Sequence, residues 1–328
     1  MRLWVDMNFN EDKPLFFVFT CVKNGRSYIQ KLFDSLLHQT KVNFVHFIYE
    51  DGSSNPLEEM INDYKKQVAQ LEKPYKVIYE FNPINIGLNR STQYCISKCS
   101  CPYFIWIDCD NFVDYSFFEE MEKLYKSNKN SLLLRSILYN ADNQEKEFYC
   151  NCGTIDEAKT KYQLGLFIRR RYYYSFFAVN YKLYSTINPN NFMLHERSFY
   201  NDEQLLIVCL LNCDYAPLSK KAKGYFLTRD GQESKQYELS LKEIRNYQLE
   251  LCRNINEQLE SKLKAMYLIK DLYDDLRNNY KTNYELSCDL LKKIKKSSKE
   301  HNISLKHFYD SSLLKFKLKM YYWRFKKH

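Results

Sequence analysis

Two aspartates with one residue between them, Asp108 and Asp110, stand at the end of an aromatic and β-branched run, YFIWIDCDN (103–111). Carboxylate oxygens suit hard divalent cations, and Mg²⁺ in particular is commonly held by one or two carboxylates together with substrate phosphates. An acidic pair also caps ordinary turns, so its position decides what it can do. Phe104, Ile105, Trp106 and Ile107 form a short continuous apolar segment, the pattern of a strand buried on both faces of a mostly parallel sheet. Ligands of open α/β sheets sit beyond the carboxyl ends of the strands. This strand would deliver both carboxylates to that edge.

The elements that must position them alternate. LFFVFT (15–20), FVHFIY (44–49) and KVIYEF (76–81) read as strands, and helical apolar spacing follows each, over 27–38, 57–71 and 89–99. Such alternation predicts right-handed βαβ units on a parallel sheet. The strands end in polar turns: Asn24-Gly25, Asp51-Gly52-Ser53 and Asp108-x-Asp110. With Asn85 and Gly87 opening the third helix, one sheet edge collects all of these, and a nucleotide-sized ligand is the economical reading. The chain has neither a G-x-G-x-x-G nor a G-x-x-x-x-G-K-[ST] motif, which argues against dehydrogenase and ATPase chemistry.

Composition narrows the class further. The chain has 328 residues, enough for one large α/β domain plus an appendage or for two domains. No run of about 18 apolar residues occurs, and MRLWVDMNFNEDKP has no apolar signal-type stretch, so the expectation is a cytoplasmic protein. Eleven irregularly spaced cysteines then read as reduced thiols. Cys99-x-Cys101 and Cys150-x-Cys152 lack the usual zinc spacing. Residues 1–240 carry 29 Lys and Arg against 29 Asp and Glu, and residues 241–328 carry 20 against 11, so the whole net charge of +9 lies in the tail. A boundary is expected near 240, with domains 1–240 and 241–328.

Four segments together resemble a family 2 glycosyltransferase of GT-A fold: VKNGRSYIQKLFDSLLHQT (22–40), IYEDGSSN (48–55), NIGLNRSTQ (85–93) and WIDCDN (106–111). They occur in the family's order and spacing over about the first third of the chain. The resemblance implies a Rossmann-like, mixed but mostly parallel α/β sheet flanked by helices. It implies an inverting transfer from a nucleotide sugar, with a UDP-sugar favoured and Mn²⁺ or Mg²⁺ as cofactor. Asp51 would meet the base or ribose, Asp110 the metal, and Asp108 both the metal and the sugar or ribose side. Asn24, Asn85 and Gly87 would complete the donor site. Where many members carry an arginine this chain has Thr92, and Arg90 is the substitute two residues away.

An inverting transfer needs a base for the acceptor hydroxyl. The resemblance places it in FYNDEQLLIVCLL (199–211), with Asp202 as base and Glu203 as fallback; the plain alternative is a helix N-cap. In GYFLTRDGQESK (224–235), Arg229 is the phosphate contact and Asp230 a further metal ligand, unless the segment is an ordinary turn. Arg169, Arg170, Arg171, Tyr172, Tyr173 and Tyr174 either line an acceptor groove or form a solvated loop.

Residues 241–300 read as two or more helices. LLKFKLKMYYWRFKKH (313–328) mixes Trp and Phe with Lys and Arg, as a helix lying on an anionic membrane surface does. The alternative is a helix packed on the catalytic domain or serving oligomerisation. A nucleic-acid partner is not expected, for want of any recognised module. The expectation is a metal-dependent inverting glycosyltransferase acting on a glycan or lipid-linked saccharide in surface-glycan assembly, peripheral to the inner face of the cytoplasmic membrane. The rival is a catalytically silent GT-A domain acting as a membrane-associated scaffold.

Overall fold

Continuous apolar runs and helical apolar spacing in the first hundred residues produce the expected alternation of strand and helix. The computed structural model describes residues 13–141, 143–147, 176–194, 201–213, 216–227, 240–279, 284–303 and 305. It has β1 (Phe16–Val22), α1 (Gln30–Leu37), β2 (Phe44–Asp51), α2 (Glu58–Ala69), β3 (Val77–Asn82), α3 (Leu88–Ser97) and β4 (Tyr103–Trp106). Then come β5 (Phe112–Val113), α4 (Phe117–Ser127), β6 (Leu133–Asn140), β7 (Asn143–Glu147), β8 (Phe177–Asn180), α5 (Tyr181–Ile187), α6 (Asn201–Leu211) and β9 (Leu218–Phe226). Three helices close the described chain: α7 (Leu241–Ile255), α8 (Glu257–Asn279) and α9 (Tyr284–Glu300).

One sheet runs in the order β3-β2-β1-β4-β8-β6-β9-β5, with β7 paired to β6 off that path. The pairs β1–β2, β2–β3 and β1–β4 are parallel. Beyond β4 the sheet is mixed: β8 is antiparallel to both β4 and β6, while β9 is parallel to β6 and antiparallel to β5. The chain builds outward from β1 to β3 and then returns to the other side of β1 with β4. The gap between β1 and β4 is therefore a topological switch point, where ligands of such sheets sit.

The chain divides into two compact units, the first holding 1–148, 174–201 and 217–238, the second 149–173, 202–216 and 239–328. In the first unit the period of two along β1 sorts side chains to two layers. Phe16, Val18 and Val22 join the core formed with Leu32, Phe33, Ile61 and Phe118 of α1, α2 and α4. Phe17 stacks on Phe47, and Phe19 on Trp106, on the opposite face. Each fully buried Phe of this kind contributes about 1.5–3 kcal/mol.

A polar chain crosses the first core. The Thr20 hydroxyl lies 3.2 Å from His46 Nε2, His46 Nδ1 lies 3.2 Å from the Tyr64 hydroxyl, and Tyr64 lies 2.7 Å from Tyr75 Oη. Burial holds the imidazole neutral and lowers its pKa from 6.5 to about 3. In the unfolded chain His46 takes up a proton as pH falls below 6.5, while the folded state resists until about pH 3, so stability is lost across that window. The loss approaches about 1.4 kcal/mol per pH unit. A thermal melt series from pH 7 to pH 4 should show it, and His46→Gln should flatten the slope while lowering the Tm at neutral pH.

In the second unit α6 is apolar nearly all round, with Leu205 through Leu211 buried. The Lys262 ammonium bonds the Leu211 carbonyl at its C-terminus, a favourable partner for the orphan carbonyls there. α7 begins with a capping box in which Ser240 and Glu243 satisfy each other's backbone N–H groups. Arg245 on α7 holds Asp271 on α8 through two bonds of 2.9 and 2.7 Å. No helix among the described residues is long and apolar enough to cross a membrane.

Candidate donor-binding site

The loops after β1, β2 and β3 are tied into one cradle at the carboxyl edge of the sheet. Asn24 takes a left-handed conformation, φ 55°. Its side-chain oxygen accepts from the Ser54 backbone N–H at 3.0 Å and the Ser54 hydroxyl at 3.2 Å, while its own N–H donates to Ser53 Oγ at 2.8 Å. Asp51, at the end of β2, is 4% exposed. Its Oδ1 accepts the Ile86 N–H at 2.8 Å and its Oδ2 the Gly87 N–H at 2.9 Å. Asn82 Nδ2 lies 3.4 Å from the same carboxylate. The turn Asn85-Ile86-Gly87 that opens α3 is thus held by the carboxylate expected to meet the nucleotide.

Two glycines permit this approach. Gly52 has φ +66°, and a Cβ there would stand 2.5 Å from the Asn85 backbone nitrogen. Gly87 has φ 91° and ψ 152°, a region essentially restricted to glycine. Gly52→Ala combines the left-handed penalty with a backbone clash and should cost about 2 kcal/mol or more. Circular dichroism melts of the variant should show a Tm several degrees below wild type.

Glu50, the acidic neighbour of Asp51, does a different job. It is fully buried, accepting the Leu57 N–H at 2.9 Å ahead of α2 and the Tyr79 hydroxyl at 2.5 Å. The acidic pair therefore splits into a carboxylate that anchors α2 and β3 and another that anchors the turn before α3. Sequence reasoning placed Glu50, Ser53 and Ser54 in the turn after β2 but gave them no separate role, and it missed Asn82. A usable signal existed for Glu50, an acid placed shortly before an unpaired helix start.

Asp108 and Asp110 follow β4 across the switch point from β1. The Ile107 N–H still bonds the Phe19 carbonyl at 3.1 Å, so parallel pairing continues almost to Asp108. Asn111 donates from its backbone to the Asp108 carbonyl at 3.0 Å and from Nδ2 to Asp108 Oδ2 at 3.2 Å, which orients that carboxylate. Asp110 is 7% exposed. Beyond them Phe112 stacks on Tyr225 and β5 pairs with β9, which fixes the far side of the loop. Among the described residues no group of three or more His, Cys, Asp or Glu is placed to hold a metal. A two-carboxylate oxygen donor set still fits Mg²⁺ or Mn²⁺ sharing its shell with phosphate and water.

Thr92 and Arg90 lie on opposite faces of α3. Thr92 is fully buried, its hydroxyl 3.9 Å from Cys21 Sγ on β1. Arg90 is exposed. α3 is stitched on its other side by Asn89 Nδ2 to the Leu194 carbonyl at 2.5 Å and Gln93 Nε2 to the Asn190 carbonyl at 3.1 Å.

Asp202 lies in the first turn of α6, in the second unit, and its Oδ1 accepts the Glu203 N–H at 2.8 Å. Burial first, and then the charge of Glu203, raise its pKa to about 6 despite that bond. Glu203 is 3% exposed. Arg229, Asp230, residues 169–174 and 313–328 lie outside the described residues.

A 3-2-1-4 parallel half carrying an acidic pair at its switch point, continued by mixed strands, is the GT-A architecture. The glycosyl transferase family 2 model matches residues 17–190, and the chain belongs to that family. An "uncharacterized glycosyltransferase" of Haemophilus influenzae is 25% identical over 205 residues, 62% of this chain and 57% of that protein. The chain thus spans little more than half the length of that curated relative. Among solved structures, S. aureus TarS 1–349 in complex with UDP-GlcNAc superposes with a TM-score of 0.59 at 14% identity, over 86% of this chain and 81% of that one. Its complex with UDP gives 0.56 at 14%, over 77% and 70%. These likenesses show the fold.

Proposed function

We propose that the protein is a metal-dependent inverting glycosyltransferase that moves a sugar from a nucleotide sugar, with a UDP-sugar favoured, to a hydroxyl of a glycan or lipid-linked saccharide. The observation that carries this reading is the cradle at the switch point, where loops after β1, β2 and β3 are hydrogen-bonded together opposite the Asp108–Asp110 loop. A rigid rim of backbone and amide groups suits a nucleoside, and an oxygen-rich pair beside it suits a diphosphate. Family membership and the UDP-GlcNAc complex of TarS support the choice of donor class.

In this reading Asn24, Asp51, Asn85 and Gly87 shape the nucleoside rim, and Arg90 and Arg229 serve the ribose or phosphates. Asp108 and Asp110 would hold Mn²⁺ or Mg²⁺, which when bound supplies charge compensation for the leaving diphosphate. Asp202 takes the proton from the acceptor hydroxyl as it attacks the anomeric carbon. Its raised pKa suits a base that must hold the proton and then release it near neutral pH. Residues 1–240 form the transferase part and 241–328 a basic helical region that brings the protein to the inner face of the cytoplasmic membrane.

Incubation with UDP-GlcNAc, UDP-glucose and UDP-galactose, with Mn²⁺ and with a chelator, tests the reading. Metal-dependent UDP release from one donor is expected, and Asp110→Asn should abolish it. Neither release nor binding across donors of all common nucleotide bases would favour a silent scaffold.

A further inference from the structure

The helix α9 divides between a packed face and an exposed one, which carries Glu285 and Asp289 in its first two turns and lysines in its C-terminal half. Ser287, Leu290, Ile294 and Ser297 are buried. Lys292, Lys295, Lys296 and Lys299 are all exposed. Their i, i+3, i+4, i+7 spacing puts the four ammonium groups on one stripe of a 3.6-residue helix, opposite the buried residues. Lys293 is taken by Asp289 at 2.8 Å, and Lys296 only approaches Glu300 at 3.8 Å. Among the described residues Lys292, Lys295 and Lys299 have no ion pair. Like charges at these spacings destabilise a helix, so the stripe is held against its own repulsion by the packing beneath it.

We infer that this stripe docks the protein on an anionic lipid surface. The four charges are lysines, point charges on long stems, rather than arginines with a fork for one phosphate or carboxylate. The stripe carries no aromatic side chain to stack on bases, as single-stranded nucleic-acid grooves do. A straight row of mobile cations on a folded helix matches a diffuse negative plane, where each basic residue strengthens attachment about fivefold and salt screens it. The apolar face of α9 is already packed, so attachment is electrostatic rather than insertive. The inference deepens the proposed function, in which a lipid-linked acceptor lies at the membrane, but the attachment itself needs no substrate.

The test uses the full chain, floated with phosphatidylcholine vesicles alone or containing phosphatidylglycerol, at low and high salt. Wild type should float only with the anionic vesicles and release at high salt. The Lys292→Gln/Lys295→Gln/Lys296→Gln/Lys299→Gln variant should lose about 100-fold or more in partitioning, with an unchanged or raised Tm. Its sugar-nucleotide hydrolysis should match wild type, which separates this inference from the proposed activity. Equal partitioning of the variant would overturn it and move attachment to residues 313–328. So would equal binding to zwitterionic vesicles, or binding to DNA but not to vesicles.

Discussion

Replacing Asp202 by asparagine is expected to cut sugar transfer about 10²–10⁴-fold, the usual contribution of a general base, while nucleotide-sugar binding stays within a factor of two or three. Asparagine keeps the oxygen that accepts the Glu203 N–H at 2.8 Å, so the start of α6 survives the change. The wild-type kcat/KM should fall about tenfold per pH unit below pH 6, because the carboxyl titrates at about 6. The same residue makes a stability prediction of fixed sign. The folded state holds the Asp202 proton up to about pH 6, whereas an exposed aspartate releases it near pH 3.8. Ionisation therefore weakens the fold as pH rises through that window, and stability from this group is greatest below it. Asp202→Asn removes the penalty, so its Tm relative to wild type should improve between pH 4 and pH 7, by the equivalent of about 1–2 kcal/mol after solvent screening. A variant with full transfer activity would remove Asp202 from the mechanism, leaving Glu203 to be tested next.

Asp51→Ala should be the most damaging change on the donor side. It deletes the acceptor for two backbone N–H groups, at Ile86 and Gly87, each a charge-assisted bond with a net contribution of about 1.5–3 kcal/mol. The freed turn would leave Asn85 and Gly87 unpositioned, and donor affinity should drop about 100-fold or more. The Tm should fall by about 5 °C or more. Asp51→Asn keeps one acceptor oxygen and should fall between. If Asp51→Ala binds nucleotide normally but melts early, Asp51 is a scaffold residue only, and the rim is read by other groups.

The first half of the sheet was legible because its signals are local and redundant. Strands at 15–20, 44–49 and 76–81 are apolar runs of β-branched and aromatic residues, and the structure extends them only to Val22, Asp51 and Asn82. Those extensions matter, because they carry pairing up to the site residues. The edge that gathers Asn24, Asp51 and Asp108 follows from parallel βαβ connectivity. What the pattern did not reveal is how the carboxylates are used. Asp51 reads as a ligand residue from its place in IYEDGSSN, yet both of its oxygens are engaged by backbone N–H groups 35 and 36 positions away. That partnership depends on the turn before α3 closing over Gly52, a tertiary fact with no local signature. The substitute role given to Arg90 likewise turns on helix phase: Thr92 faces β1 and Arg90 faces solvent. The resemblance implied the mixed sheet that is found, but the strands that make it mixed, β6, β8 and β9, were not placed, since their pairing order departs from sequence order.

The most direct test of the donor site is calorimetric titration of UDP and its sugars into wild type, Asp51→Ala and Asp110→Asn, with and without Mn²⁺. Metal-enhanced binding to wild type, lost in Asp51→Ala and stripped of its metal dependence in Asp110→Asn, is the predicted result. Binding that both substitutions leave untouched would contradict the account and place the nucleotide away from the switch point.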